Sequence, residues 1–220
     1  MNLRFFSLCA VILALAFGAS EKGGAASGPT RDSGPPRTDR AAPLYRGGVV
    51  TPPMPKPKFT LTNTSGAAFD FSAETQGYVT LLFFGYTHCP DECPLHMATI
   101  AQSMRQMPAS VTDQIKVVFV TADPARDSTK VLRTWLDQFD KRFIGLTGSE
   151  AAITAAQRSA HVPASTKTVL ANKTYEVGHA SFVIAYTKDN LAHVIYPGGV
   201  SPADWAHDLP LLVKEVWTSP

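Results

Sequence analysis

From Lys58 onward, apolar positions recur with the lengths and periods of strands and helices. Phe59-Thr60-Leu61 and residues 67–71 flank the turn-forming stretch 63–66, which predicts a short β-hairpin. Residues 78–84 and 115–121 are nearly continuous apolar runs of strand length, as expected for strands covered on both faces. Between them Met97, Ile100, Met104 and Met107 repeat at intervals of three and four, which makes one apolar helix stripe. That spacing assigns these methionines to a core rather than to a metal.

A second helix is expected after Asp127-Ser128, with Val131, Leu132, Trp135, Leu136 and Phe139 on its inner side. Residues 143–146 read as a short strand, and the next helix starts at Thr147 or Ser149 and runs to about Ala160. Residues 181–187 and 191–196 surround the turn Lys188-Asp189-Asn190 and predict an antiparallel hairpin. Ser201-Pro202-Ala203-Asp204 opens a last helix, which Pro210 is expected to kink or split. A β pair, a parallel βαβ section, and a closing hairpin and helix together predict an α/β, thioredoxin-like fold. Its central mixed sheet is flanked by helices and carries an N-terminal β-hairpin extension.

Upstream of Lys58 the pattern changes. Residues 5–19 form an apolar run after Arg4 and close on Gly18-Ala19-Ser20, the arrangement of a secretory signal. The run is short of the ~20 residues that span a bilayer, so residues 1–20 are expected to be a signal peptide or a short membrane anchor. Residues 21–57 are rich in Gly, Ala, Pro, Ser and Arg and lack apolar periodicity, which predicts a flexible linker. The folded domain is then 58–220. Its expected place is outside the cytoplasm, periplasmic or tethered to the outer face of the cytoplasmic membrane.

Composition adds little: 45% hydrophobic and 17% charged residues describe an ordinary globular core. A formal charge of +2 gives no basis for binding nucleic acid or a membrane surface. The cysteines say more. There are three, and Cys9 lies inside the N-terminal apolar run, leaving Cys89 and Cys93 as the thiols of the folded part.

Those two sit in Gly85-Tyr86-Thr87-His88-Cys89-Pro90-Asp91-Glu92-Cys93-Pro94, directly after a predicted strand and at the start of a predicted helix. Unpaired amide N–H groups and partial positive charge at a helix N-terminus favour thiolates. Thiolates bind soft metals and carry disulfide exchange, so both uses stay open. A purely structural disulfide is disfavoured, because so small a loop constrains the unfolded chain little. Asp91 and Glu92 are expected to oppose thiolate formation and to favour a bound cation over a very acidic attacking thiol.

A third ligand has to come from elsewhere in the chain. His179 precedes the first strand of the late hairpin, whose entry loop in a thioredoxin-like chain lies against the cysteine turn. His88 is read as an outer donor; His96, three residues after Cys93 on the helix, could approach the site but is read first as a partly exposed helix residue. His161 ends a helix, where a cation is favoured, while His193 and His207 are read as hairpin and helix-surface residues.

The decapeptide at 85–94 closely resembles the signature of the Sco/SenC family of copper chaperones. Thr121-Ala122-Asp123-Pro124-Ala125-Arg126-Asp127 resembles that family's second motif, and Val177-Gly178-His179-Ala180-Ser181 its histidine motif. The resemblance covers 58–216. It implies a metallochaperone that binds copper, Cu(I) or Cu(II), through Cys89, Cys93 and His179 and helps assemble the binuclear copper centre of cytochrome c oxidase. The implied partners are a copper-receiving oxidase subunit, with another copper chaperone or a thiol reductant as further partners. The alternative is a thiol–disulfide oxidoreductase with Cys89 and Cys93 as its redox pair. The family often carries Asp before the histidine; Gly178 stands there in this chain, so that acceptor for the ring is lost and backbone carbonyls could substitute.

Overall fold

The computed structural model describes residues 44–171 and 173–215. In chain order the first strands are β1 (Gly48–Pro55), β2 (Thr60–Asn63) and β3 (Ala68–Asp70), followed by the short helix α1 (Phe71–Glu74). Next come β4 (Val79–Gly85), α2 (Glu92–Arg105), α3 (Ala109–Thr112) and β5 (Ile115–Thr121). They lead to α4 (Thr129–Leu136), β6 (Ile144–Thr147), α5 (Glu150–Ser159) and the strand pair β7 (Thr166–Val169) and β8 (Tyr175–Gly178). The chain closes with β9 (Val183–Tyr186), β10 (Leu191–Tyr196) and α6 (Pro202–Lys214).

One sheet has the order β1-β10-β9-β4-β5-β6-β2-β3. Its centre is parallel, β4 to β5 and β5 to β6, and every other pairing is antiparallel. This is the expected mixed, thioredoxin-like arrangement. All seven residues of β4 are buried, which is why its sequence lacks polar alternation. The two-residue period still divides them. Val79, Leu81 and Phe83 join the core beneath α2, α4 and α6, while Leu82 and Phe84 join the core beneath α1 and α5. Each such large side chain contributes about 1.5–3 kcal/mol through burial.

Helix starts follow the sequence. Ser128, Ser149 and Ser201 each cap a helix, accepting from Val131, Ala152 and Asp204 amides, and Ser201 with Asp204 closes a capping box. Leu132 and Leu136 of α4 are buried as expected, but Val131 is 37% exposed. Pro210 does not split α6. Buried Trp205, Leu209, Leu212 and Val213 hold both halves against the sheet and outweigh the missing N–H.

The expected linker needs correcting at its end. Residues 48–55 are strand β1, paired antiparallel with β10 through Gly48↔Ile195, Val49↔Val194, Met54↔Ala192 and Pro55↔Leu191. Pro52, Pro53 and Pro55 fit because β1 is an edge strand, and the register slips between Val49 and Met54. Tyr45 is buried, with its hydroxyl on Glu215, so the folded unit begins upstream of Lys58. The expected signal or anchor at 1–20 and the start of the linker lie outside the described residues. Among the described residues, no helix is long and apolar enough to cross a membrane.

Candidate metal centre

Strand β4 ends at Gly85, and the chain turns through Tyr86–Asp91 into α2. Gly85 is required by close approach: a Cβ there would stand 2.7 Å from Cys93 Sγ and 2.9 Å from Phe83. The α2 N-cap residue, Asp91, makes no side-chain cap. Cys89 Sγ occupies that role instead, accepting from the Cys93 amide at 3.5 Å. Cys89 is half-buried, Cys93 is fully buried, and both are free thiols.

His179 arrives from a distant part of the chain, 86 positions from Cys93. The hairpin β7–β8, which the sequence reading missed, pairs Thr166 with Gly178 and delivers His179 as the next residue. Its Nε2 lies 3.4 Å from Cys93 Sγ. Its ring is packed edge-on against Phe83 and Tyr86, at centroid distances of 5.8 and 5.6 Å. Nδ1 lies 3.0 Å from the Ala180 carbonyl, which requires the proton on Nδ1 and leaves the neutral ring's lone pair on Nε2. A backbone carbonyl therefore does the orienting where Gly178 offers no side chain. A Cβ at Gly178 would meet Thr166 Oγ1 at 2.8 Å, so that place is already filled from the neighbouring strand.

The sulfur and nitrogen atoms of Cys89, Cys93 and His179 lie within 4.8 Å of one another. Two sulfurs and one imidazole nitrogen at that spacing suit a soft or borderline cation. The other histidines stay apart. His88 is half-exposed and turns to Thr87 Oγ1, 3.1 Å away, rather than to the sulfurs. His96, expected to be partly exposed, is 2% exposed because it shares the buried face of Cys93, Met97 and Ile100. His193 is likewise buried, paired with Asp189 at 2.8 Å, while His207 stands half-exposed beside Asp208.

Two buried aspartates of the second motif support the site. Asp127 accepts from the Thr87 amide at 2.9 Å, the Thr87 hydroxyl at 2.6 Å and the Thr121 hydroxyl at 2.7 Å, tying the cysteine turn to the end of β5. Asp123 accepts from Arg126 and from the Tyr175 hydroxyl at 2.9 Å, so it holds the hairpin that carries His179. Arg126 stacks 3.9 Å over the Tyr175 ring. The sequence marked Asp123 and Asp127 as motif residues, but their bonds span 52 and 40 positions of chain, respectively.

Electrostatics separates the cysteines. Hydrogen bonding from Cys93 lowers the Cys89 pKa to about 4, against the opposing effect of burial, with the Cys93 and Asp91 amides adding. Cys93 shifts the other way, raised by its bond to Cys89 and by burial. The expected opposition of Asp91 and Glu92 does not decide the net direction at Cys89, where direct hydrogen bonds lower the pKa.

Of the two cysteines at the turn, alkylation of the reduced, metal-free protein should therefore modify Cys89 and spare Cys93. At pH 6 an ordinary thiol is ~0.3% ionised and Cys89 almost wholly so, a gain of ~300-fold. Lower basicity removes ~100-fold in nucleophilicity, so the absolute rate exceeds an ordinary thiol by only a few-fold. The pH profile is the sharper readout. It should be flat from pH 5.5 to 8 and fall only as Cys89 protonates near 4. A rate rising tenfold per unit across pH 6–8 would refute the ionised thiolate.

Comparison with known proteins places the chain. A family described as SCO1/SenC matches residues 51–214. An SCO2-like protein of Rickettsia felis is 39% identical over 95 residues, 43% of this chain and 45% of that protein. The mitochondrial SCO2 homolog of Bos taurus is 33% identical over 120 residues, 54% of this chain and 45% of that one. The chain thus spans about half the length of these curated relatives. Among solved structures, copper-bound ScoI of Bradyrhizobium japonicum superposes with a TM-score of 0.65 at 29% identity, covering 73% of this chain and 99% of that one. Because the family match runs through all three motifs and most of the chain, this protein belongs to the SCO1/SenC family.

Proposed function

We propose that the folded unit is a copper metallochaperone that holds one copper ion through Cys89, Cys93 and His179. It passes the ion to a subunit of cytochrome c oxidase and so helps build the binuclear copper centre. The observation that carries this reading is the convergence of two sulfurs and an imidazole lone pair within 4.8 Å at one strand-to-helix turn. Sulfur donors suit copper, and a mixed sulfur–nitrogen set accepts both of its oxidation states. Two thiolates and a neutral imidazole leave a net charge of minus one around Cu(I) and zero around Cu(II). The copper bound to the related ScoI supports the same assignment. Cys89 is partly open to solvent, so an acceptor's ligands can approach from that side and exchange stepwise. The N-terminal apolar run supports an exported protein, working in the periplasm or tethered at the membrane's outer face.

An anaerobic copper titration of the reduced protein, beside His179→Ala, tests the assignment. Wild type should bind one equivalent tightly, and the variant should lose copper to a competing chelator at least ~10-fold faster, on the scale expected for altered metal ligation. Copper affinity indifferent to His179 would move the case to thiol–disulfide exchange, with Cys89 as the attacking thiolate and Cys93 as the resolving thiol. The opposite shifts of the two cysteines also suit that chemistry.

A further inference from the structure

His96 is a buried, polar side chain beside the metal centre. It lies on α2 three residues after Cys93, so the two are about 4.5 Å apart along a rigid helix axis and share its buried face. The His96 ring packs 4.9 Å from Phe83, the same ring that His179 packs against at 5.8 Å. Its Nε2 reaches across to the Ser181 carbonyl at 3.2 Å. Only a ring N–H can serve that acceptor, which fixes the proton on Nε2. Glu92 Oε2 stands farther off, at 4.0 Å, beyond hydrogen-bond range.

Ser181 O belongs to the stretch 179–182, which lies between β8 and β9 and has no regular secondary structure. Within this stretch His179 offers Nε2 toward Cys93, and the Ala180 carbonyl takes the proton of His179 Nδ1. The next carbonyl along, that of Ser181, is the one His96 holds. A loop without ladder bonds is thereby tied to the helix that carries Cys93.

We infer that His96 is a positioning residue for the metal site, a tether from the cysteine helix to the histidine loop that sets both the Cys93–His179 distance and the orientation of the His179 ring. The inference rests on the reading of His179 as a ligand, and its geometry can be tested without metal. Removing the tether lets residues 179–182 shift, so the Ala180 carbonyl no longer holds the His179 Nδ1 proton in one place. The lone pair on Nε2 is then presented only part of the time.

The test uses the reduced full chain, with His96→Leu to remove the donor and His96→Gln to supply an amide N–H of similar reach. In the metal-free protein, ring-nitrogen NMR should show His179 as a single Nδ1–H tautomer in wild type and His96→Gln, and as a mixture in His96→Leu. Loaded with Cu(I) and challenged with a chelator, His96→Leu should release copper ~10-fold faster, the usual scale for an outer-shell partner, and His96→Gln within ~3-fold of wild type. In a His179→Ala background, His96→Leu should add nothing further, because both changes act on one ligand.

An unchanged His179 tautomer in His96→Leu would overturn the tether, as would a release rate that multiplies with that of His179→Ala. If His96→Leu fails to fold, His96→Asn replaces it, its amide being too short to reach Ser181; behaviour equal to His96→Gln would then overturn the inference. Failure of the ligand reading looks different: the tautomer responds to His96 while copper release ignores His179.

Discussion

Asp127→Ala should lower the unfolding free energy of the reduced, metal-free protein by about 2–4 kcal/mol, the largest loss expected from one side chain near the site. The carboxylate is fully buried and accepts from one backbone amide and two hydroxyls. Hydroxyls can turn toward other acceptors, but the Thr87 amide cannot, and a buried donor left unpaired costs about 1–3 kcal/mol. Thr87 stands two residues before Cys89, so the damage reaches the sulfurs. Copper release should accelerate in the same variant. Asp127→Asn keeps the volume and one acceptor oxygen while turning an NH₂ toward existing donors, and should fall between wild type and alanine. A urea midpoint unchanged in Asp127→Ala, with the slope also unchanged, would show that the turn is held by something else.

The cysteine turn was legible because local signals agree. An apolar run of strand length ends in Gly85, and the apolar stripe of α2 begins just past the second cysteine. His179 was legible only through topology, since 86 residues separate it from Cys93. The hairpin β7–β8 left no comparable trace. All four residues of β7 are exposed, and Val177 alone is buried in β8, so neither strand shows a buried face. The burial of His96, in contrast, was within reach of the sequence. Cys93, His96, Met97 and Ile100 follow the i, i+3, i+4, i+7 pattern of one helix face, and the polar identity of His96 masked it.

Asp123 and Asp127 show a second limit. Either could be an ordinary turn or cap residue by its neighbours in sequence. What makes each important is a partner brought from far along the chain: Thr87 for one and Tyr175 for the other. The two form a frame for the candidate metal centre, one fixing the cysteine turn and the other the hairpin that delivers the imidazole. Such partners are set by tertiary contact, which neither periodicity nor local propensity encodes.

The same distinction governs the N-terminal boundary, where composition misled. A chain starting at Lys58, the boundary that periodicity suggests, should be markedly less stable than one starting at Leu44, by at least ~4 kcal/mol. Tyr45 is 2% exposed, and removing a buried aromatic costs about 3–5 kcal/mol by itself. Asp208, fully buried, accepts the Arg46 and Gly47 amides at 2.8 and 3.1 Å beside the Tyr196 hydroxyl at 2.9 Å. Truncation strips both amides from a buried carboxylate. It also removes Lys56, whose ammonium reaches the Thr75 carbonyl at 3.0 Å in a site where burial lowers its pKa to about 8. With β1 gone, β10 becomes a bare sheet edge, and its open N–H and C=O groups should promote self-association. Against a typical total of about 5–15 kcal/mol, a loss of this size leaves a marginal fold. Denaturant titration of the two chains, with sedimentation to detect association, decides the matter. Equal midpoints and two monomers would return residues 44–57 to the status of linker, and would mean that the edge pairing of β1 adds nothing to the domain.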